Sequence, residues 1–500
     1  MTLHRSLLLP PASLADIAIS ALAGQGQYGA VTQIARDYGL SRQQVYRLRD
    51  TGHQAIQDAF APQQPETWQA DLPKAHINRA IVALYTIAPN SIDDIVDLLP
   101  VLFNGRTRSH GYIHAVIAIA KERAAAFLDT VDLKPIDAVA IDEMFWHKTP
   151  LLTGIDLDTG YLFSAEKVRD RTGPEWVSRL QTLHHNGLDP AVIVKDAGAA
   201  MTEAVTEVFS DAEQRDDLFH AIALLHEMRR YIENRAYRAI RNYDAFMVRY
   251  RRTAKGSSQR RSLGQTRGRL RRKMEAAISR CDLIDALVAE VKELLQLCDP
   301  GCARLRTAEE VRRYLPVLAD EIAEVGGKRG QKVGRYLRNR VAGLCSYLDA
   351  LEEKLSSCAQ LLGSAALVGG VVRAYQANLL AGRGPRWQRE ARQAELVTSV
   401  RSLVEMSGRP ARLARALEIV IPVLSRRHRA SSAIENLHSV LRPYIAVHKR
   451  VSQGFLDLFR FYWNTRIRRW GRHKGTSALE LLTGNKHEDW LTLLGFPPVS

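Results

Sequence analysis

The chain has 500 residues with 70 Lys and Arg against 54 Asp and Glu, a formal net charge of +16. That length is too great for one ordinary core and implies several domains, and the charge favours a polyanionic partner, nucleic acid ahead of an acidic membrane surface. No run of 18 apolar residues occurs, so no membrane-spanning helix is expected, and Pro10, Pro11 and Asp16 break the apolar N-terminal stretch too early for a signal peptide.

The cysteines, Cys281, Cys298, Cys302, Cys345 and Cys358, are odd in number and follow no secretory signal. They read as reduced thiols in a cytoplasmic protein, used to fill helix cores. Cys298 and Cys302 lack a second pair at zinc-knuckle spacing, so no structural zinc is expected.

Residues 29–60 follow a helix-turn-helix pattern: Val31, Ile34 and Ala35 on one face, Gly39 at the turn, Leu40 as plug and Ser41 as cap of a second helix with Val45 and Leu48 inward. Arg42, Gln43, Gln44 and Arg47 then face outward, the residue types that pair with base edges in a major groove. The same pattern occurs in helical hairpins that touch no DNA, and the net charge favours the DNA reading. A proline-containing linker follows over 61–74, then helices over 77–87, 91–99 and 112–128, which form either a second helix-turn-helix or a bundle joining the head to the body.

At Pro135 the period becomes strand-like. Ala138–Ile141 is the first predicted strand, ending in Asp142 and Glu143; 151–156 and 161–168 are the next two, joined by a turn at Asp158-Thr159-Gly160. A helix over 174–185 leads to a fourth strand, 191–195, which ends in Asp196, and the run 217–223 is a candidate fifth strand. Glu143 points to the opposite side from Asp142 and is not expected to be a ligand.

Beyond His226 the strand signal disappears. Residues 229–273 hold 16 Lys and Arg against Glu233 and Asp244, 16 − 2 = +14, with five aromatic residues interleaved. Such density suggests a phosphate-tracking surface, with Arg249, Arg251, Arg252, Lys255, Arg260, Arg261, Arg271, Arg272 and Lys273 as its candidate contacts. Apolar periodicity over 270–298 and 341–362 predicts two long packed helices; Gly326, Gly327, Gly330 and Gly334 mark a turn region between them, and their spacing does not fit a P-loop. A helix over 430–441 carries Glu435, and 455–474 interleaves aromatics with arginines, including Arg466, Arg468 and Arg469. That interleaving suits either packing or a nucleic-acid groove.

If the first and fourth strands are neighbours, Asp142 and Asp196 lie side by side and a crossing helix can add Glu435. Three such carboxylates can hold two Mg²⁺ ions, with Mn²⁺ as a substitute, for attack on a phosphodiester. On AIDEM around Asp142, VKDAG around Asp196 and SSAIENLHSVLR around Glu435, the chain resembles the DDE transposases with an RNase H-like catalytic domain. The separation of the last two acids, 435 − 196 = 239 positions, is similar to that in Mutator-like and hAT transposases and bacterial insertion-sequence relatives, in which an all-helical insertion interrupts the domain.

The resemblance implies a multidomain α/β plus α fold: a helix-turn-helix head at 1–60, a linker and second helical region at 61–130, an RNase H-like mixed sheet at 131–226, a helical insertion at 227–427, the remainder of the core at 428–484 and a tail at 485–500. It implies catalytic and metal-binding roles for Asp142, Asp196 and Glu435, a motif role for Asp217 and His220, and a base-stacking role for Trp387, whose other use is helix-core packing. The partners implied are double-stranded DNA, as transposon ends and target, and further copies of the chain in a dimer or higher oligomer on DNA. No membrane partner is expected, and the location implied is the bacterial cytoplasm, on the nucleoid. The alternatives are another RNase H-like nuclease, such as a junction resolvase, and a catalytically silent DNA-binding protein derived from a transposase.

Overall fold

The computed structural model describes residues 9–60, 73–196, 198–298, 305–428, 431–448 and 450–498, and the chain divides into two units, Met1–Pro73 and Lys74–Ser500. Most of the expected linker, 61–72, and Cys302 lie outside the described residues.

In the first unit, α1 (Pro11–Ala23), α2 (Ala30–Asp37) and α3 (Arg42–Phe60) surround Ile17, Ala21, Ala35, Leu40 and Val45. Gly39 turns the chain at a φ of 65°, which a side chain would resist, and Leu40 fills the gap as expected. The Gln44 N–H donates to Ser41 Oγ (3.2 Å) and the Ser41 N–H to Gln44 Oε1 (2.8 Å), so the start of α3 is closed reciprocally.

The larger unit begins with α4 (Lys74–Ile87), α5 (Ile92–Leu102) and α6 (His110–Leu128). A five-stranded sheet follows: β1 (Ala138–Trp146), β2 (Thr149–Asp156), β3 (Leu162–Lys167), then α7 (Gly173–His185), β4 (Val192–Lys195), α8 (Ala199–Val208) and β5 (Glu213–Asp216). Its order is β3-β2-β1-β4-β5, with β1–β2 and β2–β3 antiparallel and β1–β4 and β4–β5 parallel.

Successive strand residues face opposite sides. Val139, Ile141, Leu152, Phe163 and Ile193 bury against Trp176 and Leu180 of α7 and Met201 and Val205 of α8. Ala140, Met144, Leu151 and Val194 bury on the other face with Ile113 and Ile117 of α6 and with Ile434 and Leu437. Helices α4 to α6 thus belong to the core beneath the sheet.

The first strand is longer than the expected one because β2 continues to pair with it as far as Trp146↔Thr149, whereas β4 stops pairing at Ile141↔Lys195. The fifth strand is also displaced from its expected place. Glu213–Asp216 is polar in sequence yet partly buried, because Arg215 pairs with Glu213 (2.6 Å) and donates to the Arg427 carbonyl (2.7 Å), while Asp216 faces Arg340 at 3.6 Å. The run 217–223 is instead the cap and first turns of α9 (Leu218–Arg252).

With α10 (Ser258–Leu294), α11 (Ala308–Asn339), α12 (Val341–Leu362), α13 (Ala365–Ala381), α14 (Arg386–Ser407) and α15 (Pro410–Ser425), α9 forms an all-helical body around one apolar core. The glycine cluster does mark a reversal of the chain, but within α11, where two helical halves meet. Only Gly327 leaves helical geometry, and the two halves fold back so closely that a Cβ on Gly330 would stand 2.2 Å from the Ile322 carbonyl oxygen and one on Gly334 2.3 Å from that of Ala319.

The chain then returns to the sheet as α16 (Ser432–Val447), α17 (Gln453–Thr465), α18 (Ala478–Thr483) and α19 (Trp490–Leu493). Ile434, Leu437 and Leu441 of α16 are fully buried, each contributing roughly 1.5–3 kcal/mol of apolar burial, which fixes the helix against β1. Among the described residues no helix is long and apolar enough to cross a membrane.

Candidate metal centre and basic surfaces

The last rung of the parallel ladder joins Ile141 of β1, Lys195 of β4 and Asp216 of β5. The residue after each is an aspartate: Asp142, Asp196 and Asp217. Side-chain alternation sets Asp142 with Ala140 and Met144, and Asp196 with Val194, on the face that α16 covers. Glu143 faces the other side, as side-chain alternation predicts, and accepts there from Trp176 Nε1 at 3.0 Å and Arg171 at 3.4 Å.

Glu435 and His438 stand on the first turns of α16, one helical turn apart on the same face. Ligand atoms of Asp142, Glu435 and His438 all lie within 4.8 Å of one another. Asp196 is outside that set, but its charge bears on Asp142. The Asp142 carboxyl is pushed up to about 7, first by burial, with the charges of Asp196, Glu435 and Asp217 adding and a hydrogen bond from the Glu143 N–H (2.7 Å) opposing. The Lys195 charge acts on Asp196, and the basic group that faces Asp142 is the His438 imidazole at 3.7 Å. A partly buried cluster of mutually repelling carboxylates suits a divalent ion, whose charge would remove the repulsion.

His438 is a member of the site that the sequence pattern does not single out, although ENLH places it three positions after Glu435. It is buried, and desolvation lowers its pKa to about 4, with the Arg442 charge adding. Its Nδ1 stands 3.7 Å from Asp142 Oδ2 and its Nε2 2.9 Å from Thr153 Oγ1. Tyr336 of α11 is a second such residue: its buried hydroxyl has no hydrogen-bond partner among the described residues, and burial with the charges of Asp216, Asp196 and Asp217 raises its pKa.

Asp217 is a helix cap rather than a strand residue. Its carboxylate accepts from the Phe219 N–H (2.9 Å) and His220 N–H (3.2 Å) and also binds Ser431, the residue before α16. The His220 ring packs 5.8 Å from that of Tyr336.

Of the predicted DNA contacts, Arg42, Gln43 and Arg47 are exposed on α3, while Gln44 is engaged in starting that helix. Arg249, Arg251, Arg252, Lys255, Arg261, Arg271, Arg272 and Lys273 are exposed along the α9–α10 hairpin. Arg260 stacks 4.6 Å over the Tyr250 ring and donates to the Thr253 carbonyl (2.7 Å), closing the hairpin turn. Farther along the hairpin, against the Gly327 kink of α11, a cleft of about 670 Å³ is lined by Arg235, Arg238, Lys273, Arg280, Lys328 and Arg329.

Trp387 is 69% exposed on the first turn of α14, which rules out core packing within the chain. Arg466 lies 4.5 Å over Trp463, and Arg469 is exposed. Arg468 is corrected from DNA contact to structural residue, since its guanidinium is half-buried and donates to the carbonyls of Thr159 (2.8 Å) and Gly160 (3.2 Å) in the β2–β3 turn.

No family model and no curated protein matches this chain. Among solved structures it is similar to a chain of the Drosophila P element transposase strand transfer complex, at 11% identity and a TM-score of 0.31, over 83% of this chain and 98% of that one. A superposition this loose fixes neither fold nor activity.

Proposed function

We propose that the chain is a DNA transposase whose RNase H-like catalytic core, split by the helical body of α9 to α15, cuts and joins DNA strands at a divalent-cation centre. The observation that carries this reading is the meeting of Asp142, at the end of the β1–β4 ladder, with Glu435 on a helix that returns 293 positions later (435 − 142), with Asp196 on the adjacent strand. The β3-β2-β1-β4-β5 order with one antiparallel arm supports the RNase H-like assignment.

Asp142, Asp196 and Glu435 would hold two Mg²⁺ ions, for which Mn²⁺ can substitute. Bound there, the ions supply charge neutralisation and polarisation of the attacking and leaving phosphodiester oxygens. The chain's own contribution is positional. Strand backbones hold the aspartates, buried apolar residues hold α16, and the Asp217–Ser431 contact ties the end of the helical body back to its beginning. The exposed cations of the α9–α10 hairpin and its cleft suit DNA phosphates, and Arg42, Gln43 and Arg47 suit groove edges. Trp387 offers a bare indole face for a base. Paired DNA ends would require at least a dimer.

The test is Asp142→Asn with DNA from the flanks of the gene and Mg²⁺. Binding to those ends should persist while cleavage and strand joining disappear; strand joining at the parental rate would sink the assignment. Cutting of four-way junctions with no response to the flanks would replace it with a resolvase. Specific binding with no cleavage in Mg²⁺ or Mn²⁺ would make the chain a silent binder.

A further inference from the structure

Thr153 is paired with Asp142 across the β1–β2 ladder, and its single hydroxyl makes two short contacts. Oγ1 lies 3.0 Å from the Asp142 carbonyl oxygen and 2.9 Å from His438 Nε2. A carbonyl oxygen only accepts, so the hydroxyl proton goes to Asp142 O, and the contact with the imidazole is then satisfied only if Nε2–H donates to Oγ1. The opposite arrangement sets two oxygen acceptors against each other at 3.0 Å and gains only an Nδ1–H facing Asp142 at 3.7 Å, beyond hydrogen-bond range.

The network therefore favours one tautomer, with Nδ1 unprotonated and 3.7 Å from Asp142 Oδ2, in the group that Glu435 completes. An unprotonated nitrogen facing a carboxylate oxygen in a buried position is repulsive unless a proton or a cation lies between them, and at 3.7 Å the gap is too long for a shared proton. Two donor atoms sharing one ion at bond lengths near 2.1 Å stand between about 3 and 4.2 Å apart, and the separation of Nδ1 and Asp142 Oδ2, 3.7 Å, falls in that interval.

We infer that His438 is itself a cation ligand through Nδ1, and that Thr153 is the residue that positions it. One ion of the centre is then held by mixed oxygen and nitrogen donors from Asp142, Glu435 and His438, a set that favours a first-row transition ion such as Mn²⁺ over Mg²⁺, whose preference is for oxygen alone. This inference rests on the divalent-cation reading proposed above and adds to it the chemical class of the ion and a ligand outside the three acids.

The experiment is pulsed electron paramagnetic resonance on the full chain with Mn²⁺ as the only divalent ion. The expected spectrum carries nitrogen coupling from a directly bound imidazole, converted from the ¹⁴N to the ¹⁵N pattern by [¹⁵N]histidine labelling and lost in His438→Gln. Thr153→Val should keep the coupling and weaken Mn²⁺ binding roughly 10-fold, as loss of a group that orients a ligand does. If His438→Gln does not fold, the labelled parental protein carries the test. Mn²⁺ that binds in an Asp142-dependent way without nitrogen coupling, or coupling that survives in folded His438→Gln, overturns the inference and leaves the carboxylate centre standing. Absence of any Asp142-dependent Mn²⁺ binding overturns both.

Discussion

The Asp217 carboxylate accepts hydrogen bonds from the Ser431 N–H at 2.9 Å and the Ser431 hydroxyl at 2.6 Å, across 214 positions of sequence. The same carboxylate caps α9, so one buried side chain holds both ends of the helical body at the edge of the sheet. Asp217→Ala leaves these donors unmet and should lower stability by about 3–4 kcal/mol, while Ser431→Ala, which keeps the cap, should lower it by about 1–2 kcal/mol. Denaturant melts give both values, and equal losses would show that the clamp contributes nothing beyond the cap.

Asp142 illustrates a conflict between stability and function. Its carboxyl is raised to about 7 in the folded chain, so without a cation the native state loses stability as pH climbs from the unfolded carboxylate range through that value. At pH 8 and without divalent ions, Asp142→Asn should therefore be more stable than the parent by about 1–2 kcal/mol, and should no longer gain stability when Mn²⁺ is added. A lower melting temperature for the variant under those conditions would contradict this account.

The fold-back of α11 depends on Gly330 and Gly334, where added methyl groups would meet backbone oxygens that cannot move aside. Alanine at either position should cost about 2–4 kcal/mol, whereas Gly264→Ala, a helical position with nothing within 4 Å, should be neutral or mildly stabilising. Thermal unfolding of the three variants gives the comparison directly.

His448 supplies an acid sensor remote from the site. It packs 4.5 Å from the Phe455 ring and 5.2 Å from that of Tyr85, and burial, followed by the Lys121 charge, lowers its pKa to about 4. Above the unfolded histidine pKa both states are neutral; as pH falls from about 6.5 to about 4 the unfolded chain binds a proton that the native chain refuses, so stability drops. His448→Phe should remove about 1–2 kcal/mol of that drop, after allowance for partial exposure, without changing stability at pH 8. Parallel pH curves for the two proteins would assign the acid sensitivity elsewhere.

Alanine at Arg249, Arg251, Arg252, Lys255 and Arg261 should weaken binding to all DNA sequences alike and reduce the slope of log affinity against log salt by up to about 0.9 for each phosphate that is no longer neutralised. An unchanged slope returns the hairpin to the status of an ordinary solvated surface.

Asp142 within β1 and Asp196 after β4 are legible in the sequence because each follows a short apolar run, the mark of a buried parallel strand, and a charge that ends such a run stands out. Strand β5 hides for the opposite reason: Glu213 to Asp216 is polar, and its burial rests on the Arg215–Glu213 pair within the strand together with Arg340 and the Arg427 carbonyl from distant parts of the chain. His438 escapes notice because one histidine on a helix carries little signal until the helix is seen to cross β1. In α11, glycine density does signal a reversal of the chain, but sequence alone does not distinguish a flexible turn from two helices that need bare backbone to touch. Arg468 shows the limit of charge patterns, since an arginine among aromatics serves a turn carbonyl as readily as a phosphate.

The spread of Asp142, Asp196, Glu435 and His438 along the chain also sets an order of assembly. A nascent chain that has not yet reached Ser431 can form the sheet edge with Asp142, Asp196 and Asp217 and can fold the helical body, yet it has no Glu435, no His438 and no second anchor for the Asp217 clamp. The sheet face that carries Asp142 is open on the side that α16 later covers. During synthesis the exposed cations of α9 and α10 can therefore be in place before Asp142 can meet Glu435 and His438, so under the proposed function contact with DNA would precede the capacity to cut it.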